Sequence, residues 1–279
     1  MWPLDRLAGG DVMRVGAHAV ELWRRRGGSM EQVAHEPLPR RGSLYDVSAL
    51  KDSLRAIAGR AGSGRMTVVI ESAYAPVLLA NTGGMLTRAG QVDALFRHRF
   101  GLAYGSPERD VAQWRVRWTH RYGDCHALGY GLDPHVEAVL REGVSATGLA
   151  FVAWVPALSW GLEHFGRRRR AARCPWWVWT EQDRSLAVHL RGSQVDTLDP
   201  AMLDRGTVAD VERAVDAAAT RVTGSIAGNV GSPIGVGHWH VTEAPRGQFA
   251  RVRQFAVAGD ASSSQAATES ARALSESSA

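Results

Sequence analysis

The chain has 279 residues, 45% of them hydrophobic and 22% charged, with a formal net charge of +5. That length supports a sizeable core without disulfides or metals, and two cysteines, Cys125 and Cys174, make neither a disulfide framework nor a zinc ribbon. No run of about 18 apolar residues occurs, which excludes a transmembrane helix, and Met1-Trp2-Pro3-Leu4-Asp5 lacks the order of a signal peptide.

Residues 11–37 read as two or three strands, carried by Val12, Val15, Val20, Leu22 and Trp23, with a turn at Gly27-Gly28. Residues 46–58 read as a helix, because Val47, Leu50, Leu54 and Ile57 recur at helical spacing behind a capping Asp46. Met66 to Ile70 is a β-branched run and reads as a buried strand. Val77 to Ala80 is a second short strand, ending at Gly83-Gly84. Val92, Leu95, Phe96, Phe100 and Ala103 share one helical face, and Gly105 ends that helix.

Strands over 113–119 and 125–130 follow; in the first, Trp114, Val116 and Trp118 alternate with Arg115 and Arg117. Asp133-Pro134 starts a helix with an N-cap and a first-turn proline, and Gly143 is its expected end. A strand over 149–155 and a short helix through Leu158, Leu162 and Phe165 come next. The pattern then restarts with strands at 176–180, 185–190 and 195–198, the last two joined at Arg191-Gly192-Ser193. Thr207 caps a helix through Val208, Val211, Val215, Ala218 and Val222, and a last strand spans 234–241. Both halves thus open with a three-stranded meander and a helix, which predicts an α/β protein with mixed sheets. From Ala258 the chain is Ser-, Ala- and Glu-rich and reads as a disordered tail, 258–279.

Lys51 is the single lysine, so 32 of the 33 cations are arginines. The dense clusters, Arg24-Arg25-Arg26 and Arg167 to Arg170, sit beside glycines and read as solvated loops. Trp176, Trp177 and Trp179 form an aromatic group; alternation gives one face to the core and offers the other as a partner contact. The charged rim of that interface would be Arg167, Arg168, Arg169 and Arg170. His238 and His240 share one side of a strand, but no third ligand is spaced to join them, so no metal site is assigned. Cys125 beside His126 reads as a small core cysteine rather than a nucleophile. Ser72 after Glu71 lacks the glycines of a nucleophile elbow.

The stretches from His126 to Asp133, from Gly148 to Leu158 and from Trp177 to Val188 resemble the actin-like proteins of bacterial pilus and secretion assembly, the PilM and GspL-cytoplasmic-domain kind. The resemblance covers 11–240 and implies a two-lobed actin-like, ribonuclease-H-like α/β fold. Its lobes would be 1–170, with an α/β insert at about 84–145, and a shortened 171–257.

An actin-like ATPase holds ATP and magnesium with two glycine-rich hairpin turns. Here the first turn would be Gly16, Ala17 and His18, and the second Glu181, Gln182 and Asp183. Gly235 and Gly237 would imitate the adenosine loop. The second turn lacks glycine, so the expectation is a non-catalytic cytoplasmic adaptor without a cofactor. It would reach the inner membrane through pilus or secretion platform proteins, binding a short membrane-protein tail, without inserting itself and without DNA. A homodimer is compatible with the resemblance. The alternatives are an actin-like ATP-binding protein or ATPase with diverged phosphate loops, and an arginine-rich nucleic-acid binder.

Overall fold

A computed structural model describes residues 10–26, 29–39, 47–62, 64–86, 88–105, 110–119, 124–146, 148–166, 174–192, 194–201, 207–223, 234–240 and 252–258. The first sheet begins as a meander of β1 (Asp11–Val15), β2 (Ala19–Arg26) and β3 (Ser29–Pro37). After α1 (Val47–Ala58), the apolar strand β4 (Arg65–Ile70) returns parallel to β1, where its β-branched side chains are buried on both faces. The order is β3-β2-β1-β4-β8, closed by β8 (Ala150–Pro156) parallel to β4.

The second sheet repeats this plan. The meander of β9 (Trp176–Thr180), β10 (Ser185–Arg191) and β11 (Gln194–Ala201) is followed by α5 (Val208–Thr223). Then β12 (Ile234–His240) runs parallel to β9, and β13 (Val252–Ala258) parallel to β12. The order, β11-β10-β9-β12-β13, matches the first sheet strand for strand.

Between β4 and β8 lies a third, antiparallel sheet, β5-β7-β6. It is built from β5 (Val77–Asn81), β6 (Arg115–Thr119) and β7 (His126–Leu132) and is covered by α2 (Ala89–Tyr104). Phe96, Phe100 and Trp114 fill the space beneath that helix. α3 (Pro134–Ser145) follows, capped by Asp133, whose carboxylate accepts from the His135 N–H at 2.8 Å. α1 and α3 pack together against the outer face of the first sheet, and α4 (Ala157–Gly166) packs against β4 and β8 on one side and β12 and β13 on the other.

Several expectations are corrected. Arg24 and Arg26 belong to β2 rather than a loop, because the Arg24 guanidinium pairs with the buried Asp11 carboxylate at 3.1 Å. Gly143 lies inside α3, packed against Leu54 of α1, and the helix runs on to Ser145. Strand β13 lies beyond the strand at 234–241 that the sequence reads as the last, and takes in Ala258, the first residue of the expected tail. The remainder of that tail, 259–279, lies outside the described residues, as do the Gly27-Gly28 turn and Asp46. Among the described residues no helix is long and apolar enough to cross a membrane.

Candidate functional site: where the two hairpin turns meet

The β1–β2 and β9–β10 turns occupy equivalent places in the two sheets. Val15 pairs with Val20 and Thr180 with Ser185, so each turn spans the intervening residues, 16–19 and 181–184. Both close in the same way: the Gly16 N–H donates to the Ala19 carbonyl at 3.0 Å, and the Glu181 N–H to the Arg184 carbonyl at 2.8 Å.

The turns touch, and what they exchange is specific. The backbone N–H groups of His18 and Ala19 both donate to Gln182 Oε1, at 2.8 and 3.0 Å. Two amides aimed at one point form the kind of nest that holds an anion. In this protein that point holds the side-chain oxygen of Gln182. The approach depends on Gly16: a Cβ there would collide with the Gln182 amide and with Glu71 Oε2.

A buried charged network supports the contact from below. Arg14, fully buried in β1, donates from Nε to Glu71 Oε1 at 2.7 Å, and its Nη2 lies 2.5 Å from the same oxygen. Its Nη1 donates to Glu21 Oε2 at 3.3 Å, which the Trp23 indole N–H also reaches at 3.0 Å. Glu71 then accepts the Gln182 N–H at 3.1 Å, and Gln182 Nε2 reaches Glu21 at 3.4 Å. Such a network is stable only when every member has its partner.

Beside it, Glu181 reaches across to Ser72, just beyond the end of β4. Its carboxylate accepts from the Ser72 N–H at 2.8 Å, the Ser72 hydroxyl at 2.9 Å and the Trp179 indole N–H at 3.3 Å. Burial disfavours its charged form and pushes its pKa up to about 7, although both Ser72 bonds oppose the shift. Nearby, burial also pushes the Tyr130 phenol up; the Ser159 hydroxyl donates to it at 2.5 Å.

Glu71, Glu181 and Asp183 bring carboxylate oxygens within 4.8 Å of one another. Glu71 is held by Arg14 and Gln182, Glu181 by Ser72 and Trp179, and Asp183 by Arg184 at 2.8 Å. The trio is therefore part of the contact between the sheets, and we assign no ion to it.

The structure thus brings the turn of Gly16, Ala17 and His18 against the turn of Glu181, Gln182 and Asp183. Gly235 and Gly237 do not form a loop. They lie in the buried central strand β12, paired with Trp177 and Trp179, and Gly235 leaves the room that the Trp177 indole fills.

The aromatic interface is corrected as well. Trp176, Trp177 and Trp179 are all buried, because the second sheet is covered on both faces. Trp177 and Trp179 join the core shared with the first sheet, and Trp176 packs with the α5 side. Arg167, Arg168, Arg169 and Arg170 lie outside the described residues, as do the side chains of His238 and His240. Cys125 is exposed rather than a core cysteine, and its neighbour His126 meets Asp196 of β11 at 3.4 Å.

Arg14, Glu21, Glu71 and Ser72 were not expected in the site. A legible signal existed for two of them. Arg14 and Glu21 are opposite charges inside apolar strands, and they sit directly across the β1–β2 ladder.

No family model matches the chain, and no curated protein matches its sequence. Solved structures do. A Bacteroides thetaiotaomicron protein with an actin-like ATPase fold and unknown function aligns over 86% of each chain, at 11% identity and a TM-score of 0.55. The PilM–PilN type IV pilus biogenesis complex aligns over 82% of this chain and 80% of that one, at 13% identity and 0.53. The fold is actin-like. This is the α/β class with mixed sheets read from the order of elements. The cytoplasmic domain of EpsL, an inner-membrane component of the Vibrio cholerae type II secretion system, aligns over 88% and 84%, at 10% identity and 0.48.

Proposed function

We propose that this actin-like protein is a non-catalytic cytoplasmic adaptor that binds inner-membrane components of a bacterial pilus or secretion platform. The observation that carries the reading is Gln182. Its side-chain oxygen takes the two turn amides that a phosphate would need, and carboxylates surround it. A nucleotide would have to displace Gln182 and bring its charge beside Glu71 and Glu181. The likeness to a chain of the PilM–PilN type IV pilus biogenesis complex supports the choice of partner class. An extended tail of a partner could add to a sheet edge, and β6 lies at an edge of the small third sheet.

The nucleic-acid reading has less support. Several described arginines are paired with carboxylates, Arg24 with Asp11 and Arg221 with Asp199 between elements, and Arg97 with Asp93 and Arg141 with Glu137 along one helix.

The test is a calorimetric titration of the chain with synthetic cytoplasmic tails of its host's pilus and secretion membrane proteins. The reading expects saturable binding to at least one tail, unchanged by magnesium–ATP. Failure to bind any tail overturns it.

A further inference from the structure

Charge is unevenly matched where the third sheet meets α3. Strand β6 is an edge strand of that sheet, and its side chains alternate between the two faces. Val116 and Trp118 pack toward the core beneath α2, which leaves Arg115 and Arg117 on the opposite face. There Arg115 meets Glu137 of α3, Nε to Oε2, at 2.6 Å. Arg141, one turn further along α3, donates to Oε1 of the same carboxylate from Nε at 3.1 Å and from Nη2 at 2.8 Å. Glu137 is buried, whereas the side chains of Arg115 and Arg141 stay 59% and 49% exposed. Two guanidinium groups therefore share one carboxylate and turn the excess charge to water.

Aromatic rings of β8 hold the cations in place. Arg117 Cζ lies 4.9 Å from the centre of the Trp154 ring, and Arg141 Cζ lies 4.9 Å from that of Phe151. Burial holds the Arg117 guanidinium below its ordinary pKa, and the charges of Arg115 and Arg141 push the same way against Glu137. A second anion at this seam would relieve that repulsion.

We propose that Arg115, Arg117 and Arg141 form a docking site for acidic side chains on an extended segment of a partner protein. This deepens the adaptor reading and rests on it only for the partner being a protein.

The geometry selects that occupant. Arg115 and Arg117 stand two residues apart on a strand, an interval of about 7 Å, at which alternate side chains of an extended peptide also recur. A guanidinium is a planar fork that matches a carboxylate, so acidic residues at alternate positions suit this row. A nucleic-acid strand fits less well. Its bases stack on open aromatic rings, and here Arg117 and Arg141 lie over the rings of Trp154 and Phe151. Its phosphates would also meet Glu137.

The experiment is a fluorescence anisotropy titration of the full chain, at low salt, with a labelled peptide of alternating Glu and Thr and with its counterpart of alternating Gln and Thr. One exposed ion pair changes an affinity by up to about fivefold. Loss of two or three of them should make the Gln peptide weaker by about tenfold or more. Arg115→Gln leaves Glu137 paired with Arg141; it should weaken the Glu peptide by about three- to fivefold and leave the Gln peptide unchanged. Failure of the Glu peptide to bind, equal binding of the two peptides, or an unchanged affinity in Arg115→Gln overturns the site. So does displacement of the labelled Glu peptide by single-stranded DNA or inorganic phosphate at lower concentration than by the unlabelled peptide, which would assign the arginines to phosphate. If the variant does not fold, the comparison of the two peptides on the wild type decides. The result is separable from that with platform tails. Binding of the Glu peptide beside no binding of any tail sustains this site and sinks the choice of partner; tail binding beside no binding of the Glu peptide sinks this site alone.

Discussion

The two sheets share one strand order and differ in what they place on the matching strand. In β1 the interior position Arg14 carries a buried guanidinium, held by Glu21 and Glu71. In β9 nearly every position is apolar, and Trp176, Trp177 and Trp179 fill the faces. The same backbone plan is stabilised by a satisfied ion network in one sheet and by aromatic packing in the other. The difference continues into the turns. The first turn is small and offers two N–H donors; the second is large and polar, and supplies the acceptor. Repetition of a fold therefore does not repeat a site. Here the halves are complementary, and one seals the other.

The largest way to break this comparison is to remove a charge from the first sheet alone. Glu71→Ala leaves Arg14 buried without its principal partner, and breaking a buried pair in this way costs about 3–5 kcal/mol. Urea denaturation should show a loss of that size, with the midpoint falling more than for a surface substitution such as Leu102→Ser, which should stay within about 0.5 kcal/mol.

A smaller effect sharpens the comparison at the turns. Gly16→Ala places a methyl where Gln182 and Glu71 sit, an overpacking cost of about 1–3 kcal/mol. Gln182→Ala alone should cost about 1 kcal/mol, since it removes one acceptor shared by two partly buried amides. If the two turns are coupled as described, the double variant is less destabilised than the sum of the two single variants, because the Gln182 side chain that the new methyl meets is gone. Strict additivity in this cycle would mean that the turns do not meet in solution.

Much of the fold was legible because its signals are local. The β-branched run of β4, the Asp133-Pro134 start of α3 and the Thr207 start of α5 each specify their own element. Gly143 misled because a glycine that makes room for Leu54 looks the same in sequence as a glycine that ends a helix. β13 was missed because a parallel strand is defined by a neighbour reached through a long connection, with no hairpin turn to announce it. The site was legible in part. Both turns are placed by the actin-like resemblance, but the bond from His18 to Gln182 joins residues 164 apart. No local pattern encodes such a contact; it follows from how the two sheets pack. The tryptophans of β9 illustrate the same limit. Alternation correctly put them on opposite faces, while the covering of both faces by the first sheet and by α5 is a tertiary fact.

The central proposal is that Gln182 takes the two turn amides that a phosphate would need. The most direct test is a thermal melt of the wild-type chain with and without magnesium–ATP. A ligand present at a hundred times its Kd stabilises a fold by about 2.7 kcal/mol, a shift that is readily seen. The account predicts no shift at millimolar nucleotide in the wild type. A clear stabilisation there, abolished by bulky substitution at Gly16, would contradict it and show that Gln182 yields its place to phosphate.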